Sequence, residues 1–74
     1  MEKKPLVLLV DDEQDLCTLM QMSLSRMGID THIAYRLQEA VQALKTHQYD
    51  ACLTDLNLPD GNGLSLVDFI AQNY

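Results

Sequence analysis

The spacing of apolar positions changes along the chain, and each change marks an element. Leu6-Val7-Leu8-Leu9-Val10 is an unbroken apolar run, the pattern of a strand covered on both faces. It runs directly into Asp11-Asp12-Glu13. Leu16, Leu19, Met20, Leu24 and Met27 then recur at three and four, which predicts one buried face of a helix reaching about Met27. Asp12 or Glu13 caps it, Arg26 suits its dipole, and Gly28 stops it. At this spacing the methionines read as core packing.

Asp30 to Ala34 predicts a short, more polar strand at a sheet edge, with His32 a solvated side chain without a role. Leu37, Ala40, Val41 and Leu44 mark a second amphipathic helix from Arg36 to His47. Arg36 is a poor cap where Ser, Asp or Asn is usual. His47 reads as a surface residue near the helix end. Ala51-Cys52-Leu53 predicts a buried strand that finishes at Thr54-Asp55, before the turn formers Pro59, Asp60, Gly61, Asn62 and Gly63. From Gly63 a third helix carries Leu64, Leu66, Val67 and Ile70 and ends near Tyr74.

Strand then helix, three times over, implies right-handed crossovers and a parallel α/β sheet. The expected plan is three parallel strands in order 2-1-3 with three helices, part of a flavodoxin-like fold. Residues 1–74 are expected to form a single unit with no second domain.

Composition narrows the function classes. A 74-residue chain is at most one small domain and buries only roughly 60% of its extended surface. Its formal charge of −6, with five lysines and arginines, argues against nucleic-acid binding by this segment. No apolar run approaches the ~20 residues of a membrane span. The basic start, Met1-Glu2-Lys3-Lys4-Pro5, precedes only five apolar residues, too few for a signal core of about 7–15. A cytoplasmic protein is expected. Cys17 and Cys52 lack metal or redox spacing and read as two buried thiols acting as small hydrophobes.

The candidate chemistry lies at the two strand ends. In an open parallel sheet, ligands bind outside the carboxyl ends of the strands. Asp55 alone reads equally well as a first loop residue. The first strand, however, ends in carboxylates too. If the two strands are parallel neighbours, roughly 4.8 Å apart, Asp11, Asp12 and Asp55 converge. Three like charges in one pocket repel and cost stability; a hard divalent cation removes that cost. Mg²⁺ prefers carboxylate, carbonyl and water oxygens, so the cluster reads as a Mg²⁺ site.

A strand ending in Asp-Asp-Glu, followed by one ending in Thr54-Asp55-x-x-x-Pro59-Asp60-Gly61-x-Gly63, resembles the receiver domain of two-component response regulators. The stretch from Leu53 to Gly61 looks most like receivers of NtrC-type, PilR-like transcriptional activators. The resemblance implies that Asp55 is the phosphoacceptor, that Asp11 and Asp12 hold magnesium, and that the backbone carbonyl of Asn57 is a further ligand. It implies a sensor histidine kinase as partner and transcriptional control through an output domain outside this segment. It implies a signalling module rather than an enzyme, one that assists its own aspartyl phosphorylation.

Rival readings fail on particular residues. An EF-hand loop starting at Asp55 would need glycine where Asp60 stands and a bidentate Glu where Leu66 stands. A dinucleotide site would need a glycine-rich turn where Asp11-Asp12 stand. A phosphatase with an aspartyl nucleophile, of the haloacid-dehalogenase type, would need a second aspartate where Asn57 stands.

The resemblance also sets a departure. Complete receivers continue through two more strand-helix units that carry a Ser or Thr, an aromatic residue and a Lys for switching. None follows Tyr74, and Thr54, Lys3, Lys4 and Lys45 are misplaced for those roles. The chain therefore reads as the N-terminal part of a receiver, with a bare outer edge on its third strand. Such an edge recruits another chain, and a homodimer through it is expected. The alternative function is a receiver-shaped binding or dimerisation module that is never phosphorylated.

Overall fold

A computed structural model describes residues 3–74; Met1 and Glu2 of the basic N-terminal segment lie outside the described residues. The elements are β1 (Leu6–Val10), α1 (Gln14–Arg26), β2 (Asp30–Ala34), α2 (Leu37–Thr46), β3 (Ala51–Thr54), β4 (Asn57–Leu58), β5 (Gly61–Asn62) and α3 (Leu64–Asn73). β1 is the middle strand of a parallel sheet of order β2-β1-β3. Its register runs from Leu6↔Asp30 to Val10↔Ala34 on one side and from Val7↔Ala51 to Val10↔Thr54 on the other. The strand-helix alternation and the edge position of β2 follow the sequence pattern.

The continuous apolar run makes β1 the centre of the core. Val7, Leu8, Leu9 and Val10 are all buried. Leu8 and Val10 face α2 and α3, where Ala34, Ala40, Leu44, Tyr49, Leu58 and Leu66 close around them. α1 covers the opposite face through the fully buried Cys17. Gly28 takes φ 80° and ends α1, a conformation available to glycine at little cost.

Four expectations are corrected. The buried stripe of α1 is Cys17 with the half-buried Met20 and Leu24; Leu16, Leu19 and Met27 are exposed. Cys17, Met20 and Leu24 share one face at spacings of three and four, and they turn it toward the sheet. In α3, Leu66 is buried with Phe69 and Ile70 beside it, whereas Leu64 and Val67 are exposed. This helix packs on α2, so only its Leu66–Ile70 seam is covered. β3 is not a fully buried strand: Ala51 and Leu53 are exposed and Cys52 is half-buried. Among the described residues no strand pairs with its outer edge, and α1 packs toward β2. His32 is exposed as expected, but it is not merely solvated: its Nδ1 lies 2.7 Å from the Tyr49 hydroxyl.

The loop after β3 holds more order than its turn residues suggested. β4 and β5 form a small antiparallel hairpin with pairs Asn57↔Asn62 and Leu58↔Gly61, and Leu58 anchors it in the core. Pro59-Asp60 is its two-residue turn. Asp60 carries the hairpin to the start of α2, where its carboxylate accepts from the backbone N–H groups of Leu37 and Gln38.

Candidate functional site

The register of the sheet creates the site. Because Val10 pairs with Thr54, the next residues, Asp11 and Asp55, leave the sheet side by side. The ladder continues one step past both strands, with Asp55 N–H donating to the Val10 carbonyl (2.8 Å) and Asp11 N–H to the Ala34 carbonyl (3.1 Å). Both aspartates thus have anchored backbones and half-buried side chains. Asp12, one residue on, is exposed.

Asp11, Asp12 and Asp55 each offer a carboxylate oxygen, and these oxygens lie within 4.8 Å of one another. Short local bonds orient two of the three side chains. Asp11 Oδ1 accepts from Glu13 N–H at 3.0 Å, and Asp55 Oδ1 accepts from Asn57 N–H at 3.2 Å. The donor set is all oxygen and triply negative, the chemistry of a hard divalent cation rather than a zinc or copper centre.

Asn57 stands beside this group through its backbone. Leu56 O accepts from Gly63 N–H at 2.9 Å, which makes Asn57↔Asn62 the pair without mutual hydrogen bonds. The N–H and C=O of Asn57 consequently face away from β5. The N–H uses that freedom to hold Asp55, and the carbonyl lies on the same edge of the strand.

Three further residues support the group, in roles that the sequence motif did not specify. The Thr54 hydroxyl donates to the Asp55 carbonyl at 2.9 Å. A Cβ on Gly63 would collide with that same carbonyl oxygen and come 3.0 Å from Thr54 Oγ1. Glycine is needed there because the hairpin folds back over the Asp55 backbone. Beneath the carboxylates, Cys17 Sγ donates to the Asp11 carbonyl at 3.5 Å. Burial, and then the charges of Asp11 and Asp12, push its thiol pKa up, so it remains a neutral packing group.

A cavity of about 270 Å³ adjoins the group, lined by Leu9, Met20, Leu53, Thr54, Asp11 and Asp55 among others. The acidic tips therefore border an apolar hollow under α1.

Residues 7–74 match the response regulator receiver domain. The chain belongs to the response regulator receiver family. This receiver is 46% identical over 67 residues to the response regulator protein PilR of Pseudomonas aeruginosa, covering 90% of this chain and 15% of that protein. It is 29% identical over 68 residues to the DNA-binding transcriptional regulator NtrC of Proteus hauseri, covering 92% of this chain and 14% of that one. Among solved structures, a CheY-like receiver domain from Methylobacillus flagellatus superposes with TM-score 0.88 at 32% identity, over 93% of this chain and 58% of that chain. The beryllofluoride-activated NtrC4 receiver domain dimer superposes with TM-score 0.86 at 32% identity, over 92% of this chain and 56% of that chain. The chain thus spans a small part of the curated relatives it matches and somewhat over half of the solved receiver chains.

Two-component receivers are signalling modules, and the three-strand 2-1-3 sheet is the corresponding part of their CheY-like, flavodoxin-type fold. No helix among the described residues is long and apolar enough to cross a membrane.

Proposed function

We propose that this receiver accepts a phosphoryl group from a sensor histidine kinase onto Asp55, at a Mg²⁺ site formed with Asp11, Asp12 and the backbone carbonyl of Asn57. The observation that carries this reading is the convergence of three carboxylate oxygens within 4.8 Å at the ends of β1 and β3.

An Asp55 carboxylate oxygen attacks phosphorus of the phosphohistidine. The P–O bond forms as the P–N bond breaks, and the bonding pair leaves on the imidazole nitrogen. Magnesium, when bound, neutralises charge on the phosphoryl oxygens and on the incoming carboxylate. The rest is supplied by this chain. Asn57 N–H holds Asp55 Oδ1 and fixes the carboxylate's rotation, while the anchored backbones of Asp11 and Asp55 set the spacing of the two strand ends.

The phosphorylated state adds charge and acceptor oxygens beside the β3–α3 loop, and a cytoplasmic output domain that controls transcription is the expected reader. Incubation with phosphoramidate or acetyl phosphate plus Mg²⁺, followed by intact mass, tests the proposal. A gain of one phosphoryl group that chelator or Asp55→Asn abolishes supports it. No gain contradicts it.

A second reading is favoured by a different observation, the outer edge of β3, which no strand among the described residues pairs, and the exposed Leu53 on it. Here the receiver shape serves as a binding or dimerisation module that is not phosphorylated. A second copy pairing β3 to β3 about a two-fold axis would extend the sheet to six strands. The structural neighbour solved as an NtrC4 receiver dimer makes self-association a property to test in this chain.

A further inference from the structure

His32 and His47 meet away from the acid pocket, on the side of the sheet covered by α2. Their ring centroids lie 4.8 Å apart at an interplanar angle of 72°. Tyr49 stands ahead of β3, at the opposite end of that strand from Asp55, and its ring is 5.5 Å from His32 and 6.0 Å from His47. Both histidines are exposed, whereas Tyr49 is buried.

The arrangement holds the His32 ring and the backbone of His47. His32 Nδ1 is 2.7 Å from the Tyr49 hydroxyl, which leaves Nε2 as the ring's free nitrogen. Histidines that ligate metals nearly always give their second ring N–H to a carboxylate, backbone carbonyl or water, and the Tyr49 hydroxyl stands in that place here. A phenol suits the task because it both accepts and donates, so the tautomer with Nδ1–H pointing at Tyr49 is available. At the other ring, the Tyr74 hydroxyl lies 2.6 Å from the His47 carbonyl oxygen and ties the end of α2 to α3.

We propose that His32 and His47 form a two-imidazole site for a borderline divalent metal ion of the Cu²⁺, Ni²⁺ or Zn²⁺ class. Imidazole suits these ions, whereas Mg²⁺ takes oxygen ligands. The spacing agrees. With metal–nitrogen bonds of about 2.0–2.1 Å, each ring centre lies about 3.2 Å from the ion, and rings about 90–110° apart then have centres about 4.5–5.2 Å from each other. An ordinary edge-to-face contact has similar spacing, and the metal site adds a free Nε2 held by a buried tyrosine. Water fills the remaining positions. Asp30, Lys3 and Lys4 line the same groove of about 820 Å³, so the surrounding charge is mixed, unlike the acid pocket.

The test follows imidazole nitrogen–proton correlations of the full chain while Ni²⁺ or Cu²⁺ is added in a large excess of Mg²⁺, which occupies the oxygen-only pocket. The expected result is joint broadening of His32 and His47. Half-saturation should move to at least roughly tenfold higher metal in His47→Gln, because one of the two imidazole ligands is gone. His32→Gln carries the same expectation, backbone amide spectra reporting that each variant is folded. Asp55→Asn should leave this titration unchanged even though it removes phosphoacceptance. Half-saturation indifferent to both histidine substitutions, or broadening centred on Asp11 and Asp55, would overturn the site.

Discussion

The Asp60 carboxylate accepts the Leu37 N–H at 2.7 Å, a bond that ties the loop following β3 to the first turn of α2. The second oxygen accepts from Gln38 N–H at 3.0 Å. Arg36 supplies no side-chain cap of its own. The helix is therefore capped by a residue more than twenty positions away. Removing the cap with Asp60→Ala should lower the urea midpoint with little change in slope.

The same contact predicts an acid dependence. The bond from Gln38 N–H lowers the Asp60 pKa most; desolvation opposes it, and the bonds from Leu37 N–H and Asp60's own backbone and the charge of Arg36 add to the lowering. A depressed folded-state pKa means that the contribution is complete above the unfolded value and fades as pH falls through the lower folded value. The stability gap between wild type and Asp60→Ala should thus be constant near neutrality and close under strongly acidic conditions. Urea titrations at several pH values check it; a gap that widens in acid contradicts it.

Gly63 and Gly61 should respond differently to alanine. At Gly63 the new Cβ meets the Asp55 carbonyl, a backbone atom that cannot step aside. Gly63→Ala should destabilise by about 1–3 kcal/mol and weaken cation binding at the acid group. At Gly61 the Cβ would come 2.6 Å from Leu37 Cδ2, the end of a flexible side chain. Its loss should be smaller, and denaturant melts with Mg²⁺ titrations of both variants compare them.

Leu66 is the fully buried residue of α3 and closes the core over Leu8 and Val10. Leu66→Ala should cost about 2–5 kcal/mol, a large share of what a domain of this size holds in reserve. Loss of a cooperative thermal transition is the expected readout.

The β3 edge predicts a concentration-dependent assembly. Sedimentation velocity over a wide concentration range should show a monomer giving way to a dimer. A monomer at every concentration removes the second functional reading.

Much of this architecture was legible because the strongest signals were local and repeated. The run Leu6–Val10 could only be a covered strand, and Gly28 could only be a stop. The acidic tips were visible because two strands ended alike, so Asp11, Asp12 and Asp55 could be assembled from the parallel arrangement alone. What escaped depended on which way a helix turned or on distant pairing. Leu19 and Cys17 both fit an apolar stripe, and only packing on the sheet decides that Cys17 is inside. Asp60 resembled any turn aspartate until the hairpin brought it to α2. His32 looked solvated because nothing in its neighbourhood announces Tyr49.

Binding of one Mn²⁺ in place of Mg²⁺, followed by paramagnetic broadening of backbone amides, addresses the shared cation site directly. Simultaneous broadening at residues 10–12 and 54–57 with single-site stoichiometry, lost together in Asp11→Asn and weakened in Asp55→Asn, is the predicted result. Broadening at one strand tip only, or two independent stoichiometries, would contradict it.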